Sequence, residues 1–404
     1  MIVQTTPDVH LTYCLNVHPG ETWDENFAAI REKALAVRRS VCPDKPFGLG
    51  LRLSAKSAAE LIRRQRMDEF WEFLQQEDMY VFTINGFPYG QFHDAQVKQN
   101  VYAPDWQDVA RVRYTSNLAE ILAPLLPEGV TGSISTVPLS YRGWISGDQQ
   151  VQTMVENLAQ VAYHLRYLAE QGKSIVLSLE PEPDCLIEST QQTIDFFGRW
   201  SQVAVDYLVR EFGLSPSTAH RTWSQHIGVC FDTAHAAVGF EDLAGSLHRL
   251  KAVGIPVGKV QLSSALQVRP EGESLRQLGQ FADTVYLHQA KARSGDGTIH
   301  AFADLPEALA ACQRGQFQEL RVHYHVPLFM ETAPDTPGDQ AGALGSTSHL
   351  LKGEFAAALR AGAVGNVEIE TYTFTVLPDF LRSADICEGI SQEFAWVQRH
   401  VFPH

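Results

Sequence analysis

Short β-type apolar runs alternate with helix-length amphipathic stretches along almost the whole chain, and few folds tolerate that order. The runs are LTYCLNV (11–17), GLGLRL (48–53), MYVFTIN (79–85), GSISTV (132–137), SIVLSLE (174–180), IGVCFD (227–232), GKVQL (258–262) and NVEIET (366–371). Thr22 with Glu25 and Ser57 with Glu60 have capping-box spacing, and Ser189 with Gln192 fits another helix start. Further helices are expected from about Trp106, over 151–170 and over 390–400. A strand followed by a helix must cross over to reach the next strand, so the pattern predicts parallel pairing and an α/β fold. Eight such units point to a closed (β/α)8 TIM barrel, although an open doubly wound sheet shares the periodicity. No GxGxxG follows the first run and no P-loop occurs, which counts against the nucleotide-binding open sheets.

The 404 residues, 45% hydrophobic and 20% charged, fit one barrel (1–404) enlarged by an insertion. The stretch between the seventh and last runs holds extra β-type runs, TVYLH (284–288) and LRVHYHVPL (320–328). Gly295 and Gly297 are placed to turn a hairpin from the first of these back through 298–302. We expect an insertion at approximately 265–350, ahead of the last strand; the alternative makes HYHVPL the eighth barrel strand. Residues 331–349, rich in Pro, Gly, Thr and Ser, read as a mobile loop and candidate lid.

A net charge of −15 without a basic stripe repels phosphate backbones, so no nucleic-acid partner is expected. The six cysteines (Cys14, Cys42, Cys185, Cys230, Cys312 and Cys387) show no CxxC or zinc-ribbon spacing and read as buried thiols of a reducing compartment. MIVQTTPDVH lacks the charged and apolar regions of a signal peptide. No apolar run nears the ~20 residues that span a bilayer. A cytoplasmic protein with no membrane span is therefore expected.

Function in a TIM barrel sits at the C-terminal ends of the strands and in the loops beyond. There the fifth run ends in Glu180-Pro181-Glu182, the sixth in Asp232-Thr233-Ala234-His235, the seventh carries Gln261, and the last carries Glu368 and Glu370. Alternate residues of a strand share a face, so Glu368 and Glu370 point the same way, and Glu370 is nearer the rim. Pro181 and Pro183 end the ladder, which makes Glu180 the last well-fixed position. A lone strand-end carboxylate is usually an ion-pair partner. The set Glu180, Asp232, His235 and Glu370 is costly to bury without a cation, and carboxylates, an imidazole and an amide oxygen together suit a divalent metal. Asn16, His18, Asn85, His93, His288, His323 and His325 are secondary candidates for substrate contact. Of these, His323 and His325 share a face, as either metal ligands or packed, hydrogen-bonded histidines.

The Glu ending the fifth run, the Asp-x-x-His ending the sixth and the Glu of the last run resemble the xylose isomerase-like TIM barrel superfamily. That superfamily holds sugar isomerases, 3-epimerases and the endonuclease IV group. HLTYCLNVHPGETW, NGFPYGQFH, LEPEPDC, CFDTAHAAVGFED, VYLHQ, HYHVPLF and EIETYTFTVLP are similar to one branch, the EboE-type "metabolite traffic" proteins. The resemblance implies a divalent metal held by Glu180, Asp232, Gln261 and Glu370, with His235 beside the metal or substrate. Sugar isomerases usually have His where Gln261 stands; an amide oxygen there favours Mn or Mg over Zn, or lets His288, His323 or His325 supply the missing ligand. The implied reaction is isomerisation or epimerisation of a polyol, sugar or cyclitol-like small molecule, as a step in handling a secondary-metabolite precursor. Glu180 and Glu370 would exchange a proton through an enediolate and His235 would stabilise oxygen charge. A non-catalytic metabolite-binding component, acting with proteins of the same gene cluster, and an endonuclease IV-like phosphodiesterase are the other readings.

Overall fold

The computed structural model describes residues 1–90, 98–282, 287–315, 317–331, 344–378 and 385–403. The early strands are β1 (Ile2–Thr5), β2 (Asp8–Tyr13), β3 (Phe47–Arg52), β4 (Met79–Asn85), β5 (Gly132–Thr136), β6 (Ile175–Leu179), β7 (Ile227–Asp232) and β8 (Val257–Leu262). Then come β9 (Ala265–Val268), β10 (Ala290–Ser294), β11 (Ile299–Phe302), β12 (Phe317–His325), β13 (Gly345–Ser346) and finally β14 (Asn366–Ile369). One sheet has the order β1-β2-β14-β8-β7-β6-β5-β4-β3. From β2 to β3 all its pairings are parallel. A parallel bridge from Cys14 to Gly50 brings its two ends together, giving a (β/α)8 barrel to which β1 adds an antiparallel edge. Gly50 permits that approach: a Cβ there would lie 2.1 Å from Glu368 Oε1 and 2.8 Å from the Tyr13 carbonyl.

β9 to β13 form a second, antiparallel sheet of order β11-β10-β12-β9-β13. HYHVPL therefore starts inside the insertion, and β14 is the eighth barrel strand. The hairpin turns at Gly295 and Gly297, with Arg293 opposite Ile299, but its first strand begins at Ala290; residues 283–286 lie outside the described residues. Of the candidate lid, 332–343 also lie outside them, and its C-terminal part folds into β13 and the 3-10 turn Thr347–Leu351. The Val326 N–H donates to the Ser264 carbonyl at 2.8 Å and an Arg321 guanidinium nitrogen donates to the Ala237 carbonyl at 2.7 Å, so the inserted sheet is bonded onto the barrel rim.

Local signals hold with small shifts. Thr22 and Glu25 form a reciprocal capping box, which launches the helix Trp23–Ala29 and buries Trp23 against Phe27 and Phe70. Burying such an aromatic contributes roughly 1.5–3 kcal/mol. Ser54, not Ser57, caps the next helix, because its side chain accepts the Ser57 N–H. Glu60 instead accepts the Trp23 N–H at 2.8 Å and ties the two helices together. Ser189 caps its helix through the Gln192 N–H as expected. The first barrel strand ends at Tyr13, and residues 15–17 become a 3-10 turn carrying Asn16 over the rim. No described helix is long and apolar enough to cross a membrane.

Candidate active site

The last ladder hydrogen bonds pin the two rim glutamates. The Glu180 N–H donates to the Thr136 carbonyl and the Glu370 N–H to the Leu262 carbonyl, each at 3.0 Å. Both side chains reach a cleft that is also lined by Asn16, Asn85, Tyr102, Glu182, His235, His323, His325 and Tyr372. Asn16 and Asn85 each donate to Glu370 Oε1, at 2.8 and 2.9 Å. Glu180 Oε2 is buried with no hydrogen-bond partner. Burial, then the charge of a neighbouring carboxylate, pushes both Glu180 and Glu370 well above the usual carboxylate range.

Asp232 ends β7 and caps the helix Thr233–Val238. Its Oδ1 accepts from the Ala234 N–H (2.7 Å), the His235 N–H (2.9 Å) and the Ser263 hydroxyl (2.7 Å), while Oδ2 is buried without a partner. Burial opposes its charge, but His235, His325 and those donors outweigh it and hold the carboxyl below its ordinary range. Glu182 also lines the cleft. It accepts from the Tyr102 hydroxyl at 2.9 Å, and burial pushes it up to about 8.

Three imidazoles complete the cluster. His235 Nδ1 lies 2.9 Å from the Pro181 carbonyl, His323 Nδ1 2.9 Å from Gln289 Oε1, and His325 Nδ1 2.9 Å from the Glu370 carbonyl. Burial lowers His235 to about 4 and holds His323 well below the usual imidazole range. Donor atoms lie within 4.8 Å of one another in each of three overlapping triads: Glu180–Asp232–His235, Asp232–His325–Glu370 and His235–His323–His325.

The remaining expected residues sit elsewhere. Glu368 points inward as Glu370 does, but it is fully buried and paired with Lys259 at 2.5 Å. The parallel register sets Gln261 level with Glu368, two residues below Glu370, and its Oε1 already accepts the Cys230 thiol at 3.0 Å. His18 bonds the Tyr13 hydroxyl at 3.0 Å and lines a separate hollow with Pro19 and Glu32. His288 lies with Nδ1 3.4 Å from the His323 carbonyl and its ring against Tyr324, so it braces β12. His93 lies outside the described residues. Tyr102, Ser263 and Gln289 escaped the sequence reading. Only Gln289 carried a signal, as the last letter of VYLHQ.

The donor set fits a divalent cation. Among the described residues no Lys or Arg forms an ion pair with Glu180, Asp232 or Glu370, and none lines the cleft. Two carboxylate oxygens and two imidazole nitrogens are buried there without partners. Each such group costs about 1–3 kcal/mol or more, and mixed oxygen and nitrogen donors suit a borderline metal.

No family model matches the chain, and no curated protein matches its sequence. Among solved structures it is similar to a xylose isomerase domain protein from Planctomyces limnophilus, at 11% identity over 97% of this chain and 95% of that one, TM-score 0.48. It is also similar to the IolI protein with a bound zinc atom, at 10% identity over 97% and 99%, TM-score 0.47. A third is 3-keto-D-glucoside 4-epimerase YcjR from E. coli, at 12% identity over 97% and 99%, TM-score 0.43. At these identities the strand order and the Cys14–Gly50 closure are what assign this chain to the (β/α)8 barrels.

Proposed function

We propose that the rim cleft holds a divalent cation and an uncharged polyol, sugar- or cyclitol-like molecule, and moves a proton on it as an isomerase or epimerase does. One observation carries this reading: Glu180 and Glu370 line a cleft that no Lys or Arg among the described residues lines, and Asp232, with a buried unpartnered Oδ2, lies within 4.8 Å of donor atoms of Glu180 and His235 and of His325 and Glu370. Asp232, with Glu180 and His235 or with His325 and Glu370, would hold the ion. Bound there, a divalent cation supplies Lewis acidity to a carbonyl oxygen. Asn16 and Asn85 orient Glu370. Glu182, which lines the cleft and is steadied by the Tyr102 hydroxyl, exchanges a proton with the substrate. His235, with Nε2 3.9 Å from Asp232 Oδ1, is a neutral imidazole at the edge of the cleft.

Phosphate recognition calls for Arg or Lys. Among the described residues neither lines the cleft. This favours a neutral substrate. Metal-dependent phosphodiester cleavage is the second reading, favoured by the extra imidazoles His323 and His325 and opposed by the same lack of cations. The imidazoles also remove the reason for ranking Mn or Mg above Zn, which rested on Gln261. Placement among the EboE-type traffic proteins, with partners from the same gene cluster, rests on the shared sequence segments. The six free cysteines fit a reducing cytoplasm.

The test is solvent exchange. Neutral ketoses and cyclic polyol ketones are incubated with metal-loaded protein in D2O, and deuterium beside the carbonyl is read by NMR. Exchange is expected with the native protein and a loss of at least a hundredfold in Glu182→Gln at unchanged melting temperature. No exchange with any of them, in a protein that a divalent ion stabilises, would leave only the metabolite-binding role.

A further inference from the structure

We infer that Gln289, a buried residue of the insertion, is a positioning residue for Glu182: it fixes the Tyr102 hydroxyl so that its one proton is aimed at the Glu182 carboxyl. The inference rests on the reading above for the role of Glu182, and it makes the inserted sheet a working part of the cleft.

The direction of each hydrogen bond follows from the partners. Gln289 Nε2 lies 3.2 Å from the Pro183 carbonyl, which can only accept, so the nitrogen end of the amide is on that side. The oxygen end then takes the Nδ1 proton of His323 at 2.9 Å. The second N–H of Nε2 donates to the Tyr102 hydroxyl at 3.2 Å. A phenol has a single proton. With Gln289 donating to the phenol oxygen, that proton is left for Glu182 Oε1, 2.9 Å away. The donors therefore run one way, from His323 through Gln289 and Tyr102 to Glu182, and hydrogen bonds in such a series strengthen one another.

Both members of the pair are held from behind. The His323 N–H donates to the Gln289 carbonyl at 2.8 Å, which anchors Gln289 against β12 just before β10 begins. Tyr102 ends the 3-10 turn Lys98–Tyr102. Its ring stacks on Tyr141, with centroids 5.4 Å apart and planes at 15°, and meets Phe87 edge-on at 6.1 Å. Those contacts fix the plane of the ring but not the rotation of its hydroxyl about the C–O bond. That rotation is what Gln289 sets. Gln289 and Tyr102 are 2% and 1% exposed, so bulk water does not compete for the phenol oxygen. Gln289 does not line the cleft, whereas Tyr102 and Glu182 do, so the amide acts through the hydroxyl and not on a substrate.

The test labels the full chain with 3-fluorotyrosine and reads the Tyr102 line by fluorine NMR, assigned by its loss in Tyr102→Phe. Gln289→Met removes the amide at nearly the same volume and should displace or split that line. In the D2O exchange assay it should lower kcat about tenfold to a hundredfold with KM unchanged. Tyr102→Phe should lose as much, and the double variant no more than Tyr102→Phe alone, because the amide acts only through the hydroxyl. Gln289→Asn, polar but too short to span the same partners, stands in if Gln289→Met fails to fold. An undisturbed Tyr102 line in the Gln289 variant, or losses that multiply in the double variant, would overturn the inference. If the native protein exchanges nothing, the proposed function falls, and the fluorine line by itself decides whether Gln289 sets the hydroxyl.

Discussion

Glu368 and Glu370 leave the same strand two residues apart on the same face, yet they live in different electrostatic worlds. Glu368, in the closed interior of the barrel, has Lys259 at 2.5 Å, both side chains fully buried. Glu370, one layer higher, accepts from two asparagine amides, and among the described residues no Lys or Arg forms an ion pair with it, with Glu180 or with Asp232. The interior layer is neutralised by an ion pair within the protein, whereas no Lys or Arg among the described residues pairs with the rim layer. The difference separates residues that serve the fold from residues that serve a ligand, even when they are neighbours in sequence.

The sharpest way to break this contrast is to remove the cation of the lower layer. Lys259→Met should destabilise the protein by about 3–5 kcal/mol in urea unfolding, because it strands a buried carboxylate. The double variant with Glu368→Gln should recover much of that loss. A loss under about 1 kcal/mol would mean that the interior pair is no different from the rim.

A smaller effect comes from a third way of burying a carboxylate. Glu393, on the closing helix Ile386–His400, accepts from the Thr371 hydroxyl at 2.7 Å and the Leu328 N–H at 3.0 Å, and burial raises it to about 8. Its folded-state pKa lies above its unfolded value. Its contribution is therefore complete below about pH 4.5 and is lost as the pH rises toward about 8. Glu393→Gln should flatten the stability profile across that window. An unchanged slope would show that Glu393 is charged in the folded protein.

Much of the barrel was legible because its strands are apolar runs with polar C-terminal ends, and Glu180, Asp232 and Glu370 were visible as those ends. What sequence could not supply was register and pairing. Gln261 looked like a rim residue until its alignment with Glu368 placed it a layer down. HYHVPL is as β-like as any barrel run, and only its pairing with β9 and β10 assigns it to the insertion. The same-face pair His323 and His325 was visible, but its meeting with His235 depends on how the inserted sheet folds back over the rim. The Ser57–Glu60 spacing pointed to Ser57 as the cap, and one hydrogen bond, from the Ser57 N–H to the Ser54 hydroxyl, moves the cap three residues back.

The most direct test is to compare thermal melting of the native protein with EDTA and with excess manganese, then zinc, and to repeat it in Glu370→Gln. The predicted result is stabilisation by one of the ions, worth ~2.7 kcal/mol at a hundredfold excess over Kd, and largely lost in the variant. Equal melting of the native protein in EDTA and in both metals would contradict a cation at the centre of the rim carboxylates.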